Sequence, residues 1–594
     1  MNNNSFKYPF SIDDLLRNKH KLKKELIERE GLIEKRIAIL SGSTIGEIKN
    51  ILELFFLYKG IKPIFYESDY NQFYEEAVFK NDKLKLFKPE LIYIHTTFEN
   101  LKLLPSINDE KKIVKDILVS EKKKFSRIWD SLIKNFNCIL IQNNFEFPTL
   151  RPLGNLDSHH ENGITRLIIE LNKFFGEQAN DRESLFINDI NYLSSLVGLN
   201  QWKDRSKYHL YKYAVSFDVI PILCDNISSI VYSIYGLSKK NIVLDLDNTM
   251  WGGIIGDDGP ANIKIGAESS SGEAFLYFQN YIKELSNRGI LLSIASKNDE
   301  KIAEKGFERK ESVLDLDSFV AKYINWERKD ENILKISNDL NLGLDSFVFI
   351  DDNPVERELV QENIPQIGVI DANNPEEMLT LLDRSGYFEP SYISVEDLKR
   401  NSFYKSNLKF EKEKSLDLGD YGSFLSSLKM IARIEFFQKE HLNRITQLVN
   451  KTNQFNLNKN RIGRSEIDII FNSKNYLAIT GSLNDKYAEH GLVSVIVGEI
   501  VKSTLQINTW VMSCRVFNRE LEFAMFDFIL KECRNCKIKK INAIYKKTDK
   551  NNIVKHFYKN LGFKLQNESN SSELWLFELP KRIRYYNKHI KVNK

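Results

Sequence analysis

The chain has 594 residues, 42% hydrophobic and 28% charged, with a formal net charge of +4 at pH 7. That length suggests three or four domains, with apolar content ample for packed cores. The nearly cancelling charge excludes a general polyanion binder, so no nucleic-acid partner is expected, and without a run of about 18 apolar residues no membrane partner is expected either.

The start, MNNNSFKYPFSIDD, has no apolar stretch behind a basic segment and does not read as a signal peptide. Residues 12–30 read as a charged, exposed helix, 36–40 as a short buried strand and 47–60 as a helix. Further strands are expected at 63–68, 90–96 and 138–143, with helices between them. This alternation predicts a doubly wound α/β domain over 1–235. A second α/β unit, 236–390, has strands at 241–247, 290–296 and 346–352 and helices at 272–288 and 329–341. Residues 391–430 form a charged helical connector without strand signal. The remainder, 431–594, reads as an α+β domain: a helix near 440–452, strands at 476–483, 491–500 and 504–514, a helix at 519–533, a strand at 539–546, a helix at 551–560 and a last strand at 575–580. A small Asn/Ser turn is expected at 567–572, and the tail from 581 to 594 is basic.

The five cysteines, Cys138, Cys224, Cys514, Cys533 and Cys536, are odd in number and scattered. They argue against a disulfide framework and for a reduced, cytoplasmic protein. Cys533 and Cys536 lack a second ligand pair at zinc spacing and read as a helical surface coincidence.

The chemistry concentrates in the second unit. Asp245 and Asp247 follow an aliphatic run, and Asp351 and Asp352 follow another. Open parallel sheets bind ligands at such strand ends. One carboxylate of the first pair can attack phosphorus while the other protonates the leaving group and later activates water. So many carboxylates need a cation, and Mg²⁺ suits hard oxygen ligands and phosphate, which makes Asp245, Asp247, Asp351 and Asp352 the candidate metal group. Ser296 could donate to phosphoryl oxygens, and Lys329 could neutralise charge developing in transfer. Asn248, Thr249, Lys297 and Asn298, beside these groups, are candidate substrate contacts, as is Arg515 in the last domain. Only about 45 residues separate Asp247 from the next strand, too few for a cap domain. An uncapped site suits a macromolecular substrate or one closed over by another domain.

The four elements DLDNT, Ser296, Lys329 and FIDDNPVE resemble the haloacid dehalogenase (HAD) superfamily in order and spacing. That resemblance implies that Asp245 is the nucleophile and Asp247 the acid/base. It also implies that Asp245, the Asp247 backbone carbonyl and one or both of Asp351 and Asp352 hold Mg²⁺. The longer strings VLDLDNTMWGGIIGDDG, SKND, NWERKDENI, NKTNQFNLNKNR and WVMSCRVFNRELE are similar to the FkbH-like proteins, HAD subfamily IIIC, from about residue 30 to 578. The resemblance implies three folds: an SGNH-like doubly wound domain, an uncapped HAD Rossmannoid domain and a C-terminal GNAT-like α+β domain. It implies an enzyme that dephosphorylates a phosphorylated acyl small molecule, such as 1,3-bisphosphoglycerate, holds the acyl group as an enzyme thioester and passes it to the phosphopantetheine thiol of an acyl carrier protein. The alternative is a stand-alone HAD phosphatase with a scaffold GNAT-like domain.

Cys514 is the candidate acyl acceptor, since a thioester preserves the activation of an acyl phosphate. It ends a strand ahead of a helix, whose N-terminus, with Arg515, would lower the thiol pKa. His490 reads as a turn histidine that could also serve as a base. Where GNAT proteins usually carry a glycine-rich pyrophosphate loop, this chain has Arg515 through Glu520. Asn518 can take φ > 0 there, but Glu520 puts a carboxylate where an anion would sit, so a phosphopantetheine arm or carrier protein fits better than coenzyme A. Basic residues Lys546, Lys547, Lys581, Arg582 and Arg584 are a candidate carrier-docking face. In the first domain, Gly42-Ser43 and Asn143 or Asn144 faintly resemble SGNH blocks, without the late Asp-x-x-His. Ser43 and Thr44 otherwise read as helix caps.

Overall fold

The computed structural model describes residues 3–79, 81–416, 421–458, 461–548, 551–569 and 571–593. Residues 459 and 460 of the Asn-rich motif, 417–420 of the connector, 570 of the Asn/Ser turn and 594 of the tail lie outside the described residues. The chain divides into two compact units, Met1–Ile234 and Tyr235–Lys594.

The first unit is built on five strands: β1 (Ile33–Ser41), β2 (Ile61–Glu67), β3 (Leu91–His95), β4 (Ile139–Asn143) and β5 (Leu185–Asn188). They pair in parallel in the order β2-β1-β3-β4-β5. Strands β3 and β4 are buried along their whole length. Burial on both faces explains their unbroken apolar runs. Four-residue β5, in which only Leu185 and Asn188 are buried, carries too little pattern to read from sequence. The helix Gly46–Tyr58 starts from Ile45 without a side-chain cap, so the capping role read for Ser43 and Thr44 is not realised. The segment Phe217–Ile234 is long and apolar enough to span a membrane by composition, at mean hydropathy 1.3, but 67% of it is buried inside the unit.

The second unit contains two sheets. The first comprises β6 (Asn241–Leu244), β7 (Leu291–Ser296), β8 (Ala321–Ile324), β9 (Phe347–Ile350) and β10 (Gly368–Ile370), in the order β10-β9-β6-β7-β8. All neighbours are parallel. Central β6 lies between β9 and β7, with Leu244 opposite Ile350. The acidic loops after β6 and β9 therefore emerge side by side. Between β6 and β7 the chain forms only a short helical turn, Ile255–Asp258, and the helix Ser270–Asn287, so no cap domain is inserted.

The second sheet has eight strands: β11 (Ile431–Phe436), β12 (Tyr476–Asn484), β13 (Glu489–Val501), β14 (Thr504–Met512), β15 (Lys540–Lys546), β16 (Lys564–Glu568), β17 (Ser572–Glu578) and β18 (Lys591–Asn593). Their order is β16-β17-β15-β14-β13-β12-β11-β18. The basic tail thus ends in β18, parallel to β11. Strands β14 and β15 pair only from Thr504–Lys540 to Ile507–Ala543. Past that point the Asn-rich segment enters: Leu457 N donates to Trp510 O (3.2 Å) and Lys546 N to Leu457 O (2.8 Å).

The connector is not a passive linker. Its helix Arg400–Leu416 buries Phe403, Tyr404 and Phe410. Phe410 lies beneath the Arg519 guanidinium, 4.0 Å from its carbon. The charge that suggested exposure belongs partly to side chains that pair inside the unit.

Candidate functional site: a carboxylate cluster and a thiol cavity

Asp245 leaves β6 with its N–H still donating to Ile350 O (3.0 Å), so the backbone ladder fixes it next to Asp351. Both side chains are buried. One carboxylate oxygen from each of Asp245, Asp351 and Asp352 lies within 4.8 Å of the others. Lys329, the first residue of the helix Lys329–Leu340, sets its Nζ 3.0 Å from Asp245 Oδ1 and 2.6 Å from Asp351 Oδ2. Three carboxylates therefore face one ammonium. Burial and the charge of Asp245 push the Asp351 carboxyl up to about 7, against the pull of Lys329. Burial opposes the charge of Lys329, but Asp245 and Asp351 outweigh it and hold the ammonium above the usual lysine range. Asp245 Oδ1 is buried and accepts no hydrogen bond of good geometry. Hard oxygens in excess of positive charge are the donor set a divalent cation takes.

Asp247 lies outside this cluster by its side chain. Its Oδ1 accepts from Trp251 Nε1 (2.9 Å) and Ile255 N (3.1 Å), and its Oδ2 from Asn298 Nδ2 (2.8 Å). Burial raises its carboxyl above the usual range, with Asp245 adding to the effect. Two of these donors, Trp251 and Ile255, come from the loop after Asp247, which closes on itself through bridges Asp247–Trp251 and Gly252–Lys264, and Asn298 comes from the segment after β7. Gly253 sits at φ 100° with no room for a Cβ against Asp258. Asn248, at φ 53°, accepts from Gly253 N (2.9 Å), and Thr249 Oγ1 accepts from Asp352 N (3.2 Å). The two acidic loops are thus tied together.

Ser296 is buried at the end of β7, the strand beside β6. Lys297 does not face the carboxylates as a free cation; it pairs with Glu356 at 2.6 Å. Arg357 was not singled out from sequence. Buried, its Nη1 donates to the backbone oxygens of Asp351 (2.8 Å), Asp352 (2.8 Å) and Ala372 (2.9 Å). It clamps the second acidic loop, a role that a charged residue in a helix-starting motif does not announce.

Cys514 and Arg515 lie elsewhere, where the two sheets of the unit meet. Cys514 packs against both cores. It does not precede an α-helix: it opens a 3₁₀ turn, Cys514–Val516, and the helix Leu521–Asn535 starts seven residues later. The expected helix dipole at the thiol is absent because the turn intervenes. The sulfur lies 3.4 Å from Tyr404 Oη, a hydrogen bond in which either atom can donate. Asn518 does take φ 62°, and Glu520 takes φ 60° as the helix N-cap. His490 is not a turn residue. It is fully buried in β13, and its Nε2 lies 2.9 Å from Asp485 Oδ2, which also accepts from Arg519 Nε at 2.7 Å. That pairing engages Nε2, while Nδ1 is buried without a hydrogen-bond partner among the described residues.

In the first unit, Asn143 Oδ1 accepts from Tyr93 Oη (3.1 Å) and Asn188 Nδ2 (2.7 Å), and Asn144 Nδ2 donates to Asp189 Oδ1 (2.7 Å). Both asparagines are committed to holding strand ends together. The Ser43 hydroxyl is buried without a hydrogen-bond partner. Asp204 caps the helix Arg205–Tyr211, and His209 is exposed.

A parallel sheet with paired acidic loops, a lysine and no cap is the arrangement of a HAD-type phosphatase. Comparison agrees. Residues 55–232 match the family described as FkbH, N-terminal domain. The chain is similar to the crystal structure of the N-terminal part of the protein BF1531 from Bacteroides fragilis, which contains a phosphatase domain and is complexed with Mg. Identity is 28%, with 63% of this chain and 99% of that chain covered, at a TM-score of 0.58. The likenesses are therefore to an FkbH N-terminal domain over residues 55–232 and to a Mg-bound phosphatase domain. The ribosomal-protein-S18-alanine N-acetyltransferase from Escherichia coli is similar over 26% of this chain and 100% of its own, at 8% identity and a TM-score of 0.21. The PaiA N-acetyltransferase from Thermoplasma acidophilum, in complex with coenzyme A, covers 25% of this chain and 98% of its own, at 12% identity and a TM-score of 0.19. No curated protein matches the chain.

Proposed function

We propose that the chain is a magnesium-dependent phosphatase that also loads an acyl unit onto an acyl carrier protein. The observation that carries the phosphatase part is the excess of carboxylate at one point: Asp245, Asp351 and Asp352 against Lys329. These three acids would hold Mg²⁺, and the Mg bound by the similar Bacteroides phosphatase domain supports that choice. When bound, the ion supplies charge neutralisation and polarises phosphoryl oxygens. Asp245 attacks phosphorus. Asp247, oriented by Trp251, Ile255 N–H and Asn298, protonates the leaving oxygen and then takes a proton from water. Lys329 holds Asp245 in place and balances charge in transfer. Ser296, Asn248 and Thr249 would contact the phosphate, and Lys297 would do so only by leaving Glu356.

Attack at the phosphorus of an acyl phosphate would discharge the acyl group as a carboxylate. We therefore assign a phosphate ester to Asp245 and the acyl carbon to Cys514. A donor such as 1,3-bisphosphoglycerate offers both. The acyl group then passes from Cys514 to a phosphopantetheine thiol, regenerating the cysteine. The last sheet serves as a GNAT-like scaffold for this step, and the exposed residues Lys546, Lys547, Lys581, Arg582 and Arg584 dock an acidic carrier. The five cysteines are free, which suits a reducing cytoplasm. The SGNH-like reading of the first unit adds no hydrolase step. Intact mass of the protein with Mg²⁺ and 1,3-bisphosphoglycerate, with and without a carrier protein, tests the assignment. A glyceryl adduct on Cys514 is expected, and phosphate release without any adduct leaves the stand-alone phosphatase.

A further inference from the structure

A cavity of about 90 Å³ opens beside Cys514. Its wall gathers Lys240 from the strand entry ahead of β6, Arg400 from the connector helix, Arg444 and Lys451 from the helix Leu442–Lys451, and Arg515. Among the described residues only two carboxylates, Glu396 and Asp397, join them there. Both are already engaged. Asp397 pairs with Arg400 and, at 3.5 Å, with Lys451, and accepts from Gln447 Nε2 at 2.7 Å. Glu396 lies 3.8 Å from Arg444 Nε, a nitrogen that is buried without a hydrogen-bond acceptor. Lys240 Nζ donates only to the Lys451 backbone oxygen (3.0 Å) among the described residues. Arg515 is the most telling. It is only 8% exposed, its Nε donates to Ser513 Oγ (3.1 Å), and its guanidinium stacks on Phe403. Among the described residues its terminal nitrogens meet no carboxylate. Burial and the neighbouring arginines lower Arg515 to about 10, and burial lowers Lys451 to about 7. Five cations against two spent carboxylates, at a concave and largely desolvated place, leave room for a multivalent anion.

We propose that this cavity is a phosphate subsite serving Cys514, which receives the phosphate of an acyl phosphate and holds it as it leaves. The proposal rests on the assignment of Cys514 as acyl acceptor. Two sources of phosphate could reach the thiol, and reach separates them. In a phosphopantetheine arm the phosphate and thiol are about a dozen bonds of roughly 1.5 Å apart. A phosphate seated beside Cys514 would hold that thiol away from it. An acyl phosphate carries its phosphate on the carbon under attack. The Cys514 sulfur forms the bond to the acyl carbon, the carbon–oxygen bond to phosphate breaks, and the electron pair departs with the phosphate. The thiol proton goes with it, so thiol and acyl phosphate give thioester and hydrogen phosphate. The Asn-rich sequence motif gains a role here, because Lys451, Thr452, Asn453 and Gln454 line the same cavity.

Iodoacetamide labelling of the full chain, read by peptide mass, tests this. Cys138, Cys224 and Cys533 are buried, so exposed Cys536 serves as the internal reference for Cys514. Inorganic phosphate should slow labelling of Cys514 while Cys536 is unchanged, and chloride at equal ionic strength should not. Arg515→Gln and Lys451→Met should each weaken that protection roughly ten-fold. Phosphate should also raise the unfolding temperature of the wild type more than that of Lys451→Met, which keeps the test open if Arg515→Gln fails to fold. Acetyl phosphate should acetylate Cys514 in the wild type and more slowly in both variants. No protection by phosphate, equal protection by chloride, or undiminished protection in Lys451→Met overturns the subsite. Protection by pantetheine 4′-phosphate that far exceeds that by phosphate assigns the cavity to the carrier arm and overturns the donor assignment. Asp245→Asn should retain the protection, so the subsite is judged apart from phosphatase activity and carrier loading.

Discussion

The two chemical regions of the second unit are mirror images in charge. At the ends of β6 and β9, three carboxylates share one lysine. Beside Cys514, five cations share two carboxylates. Neither imbalance helps folding, since uncompensated charge is costly to bury. Each is tolerable when a ligand of the opposite sign completes it. The first region is short of a cation, and the second is short of an anion. The first is also stiff: Arg357, Thr249 and the Trp251 loop hold its acids from several sides. The second is assembled from side chains of four separate segments, so its geometry depends on the packing between the two sheets.

The largest effect expected is at the acidic region. Asp245→Asn should lower phosphate release by about three orders of magnitude or more while the fold survives, measured by turnover and circular dichroism. Wild-type turnover in this variant would remove the distinction between the regions altogether. Next, Cys514→Ala should keep phosphate release and lose carrier acylation by at least about a hundred-fold, read by intact mass of the carrier. Loading at the normal rate would leave direct attack by the phosphopantetheine thiol on the acyl phosphate as the mechanism. A smaller effect concerns pH. Burial, with Arg400 and other cations adding to it, lowers Lys451 to about 7 and Lys240 to about 8. Arg444, Arg461 and Arg515 add positive charge around them, while Asp397, Glu396, Asp345, Cys514 and Tyr404 are the acidic groups facing them. Both lysines titrate below their unfolded value, so the folded chain binds fewer protons and charging them costs stability as pH falls toward about 7. Sulfate, which does not titrate in this range, should therefore raise the unfolding temperature more at pH of about 6 than at about 9. An equal rise at both, or the same response in Lys451→Met, would disconnect the lysines from the anion. Smallest is the outer surface: reversing Lys546, Lys547, Lys581, Arg582 and Arg584 should slow carrier loading several-fold at low salt and little at high salt. Loading insensitive to both salt and reversal would rule that face out.

The acidic region was legible from sequence because its determinants are local. An aliphatic strand that ends in acids points those acids at the ligand edge of a parallel sheet, and DLDNT and FIDDNPVE each carry strand and acid within a few residues. Strands β6, β7 and β9 were read for the same reason, as buried apolar runs. Strands β8, β10 and β16 were not. β8 and β10 are edge strands of four and three residues, and every residue of β16 is exposed, so no burial pattern marks it. Strand β11 was missed because its alternation, IARIEF, carries an arginine and a glutamate on its outer positions. The sequence also singled out Cys514, but its surroundings could not be read. The helix expected after it begins too late, and the cations around it come from positions 240, 400, 444, 451 and 515. Sequence spacing says nothing about charges that far apart along the chain. Only the packing of the connector and the last sheet against the first brings them to one cavity, and only there does desolvation make their shared charge large enough to demand a partner.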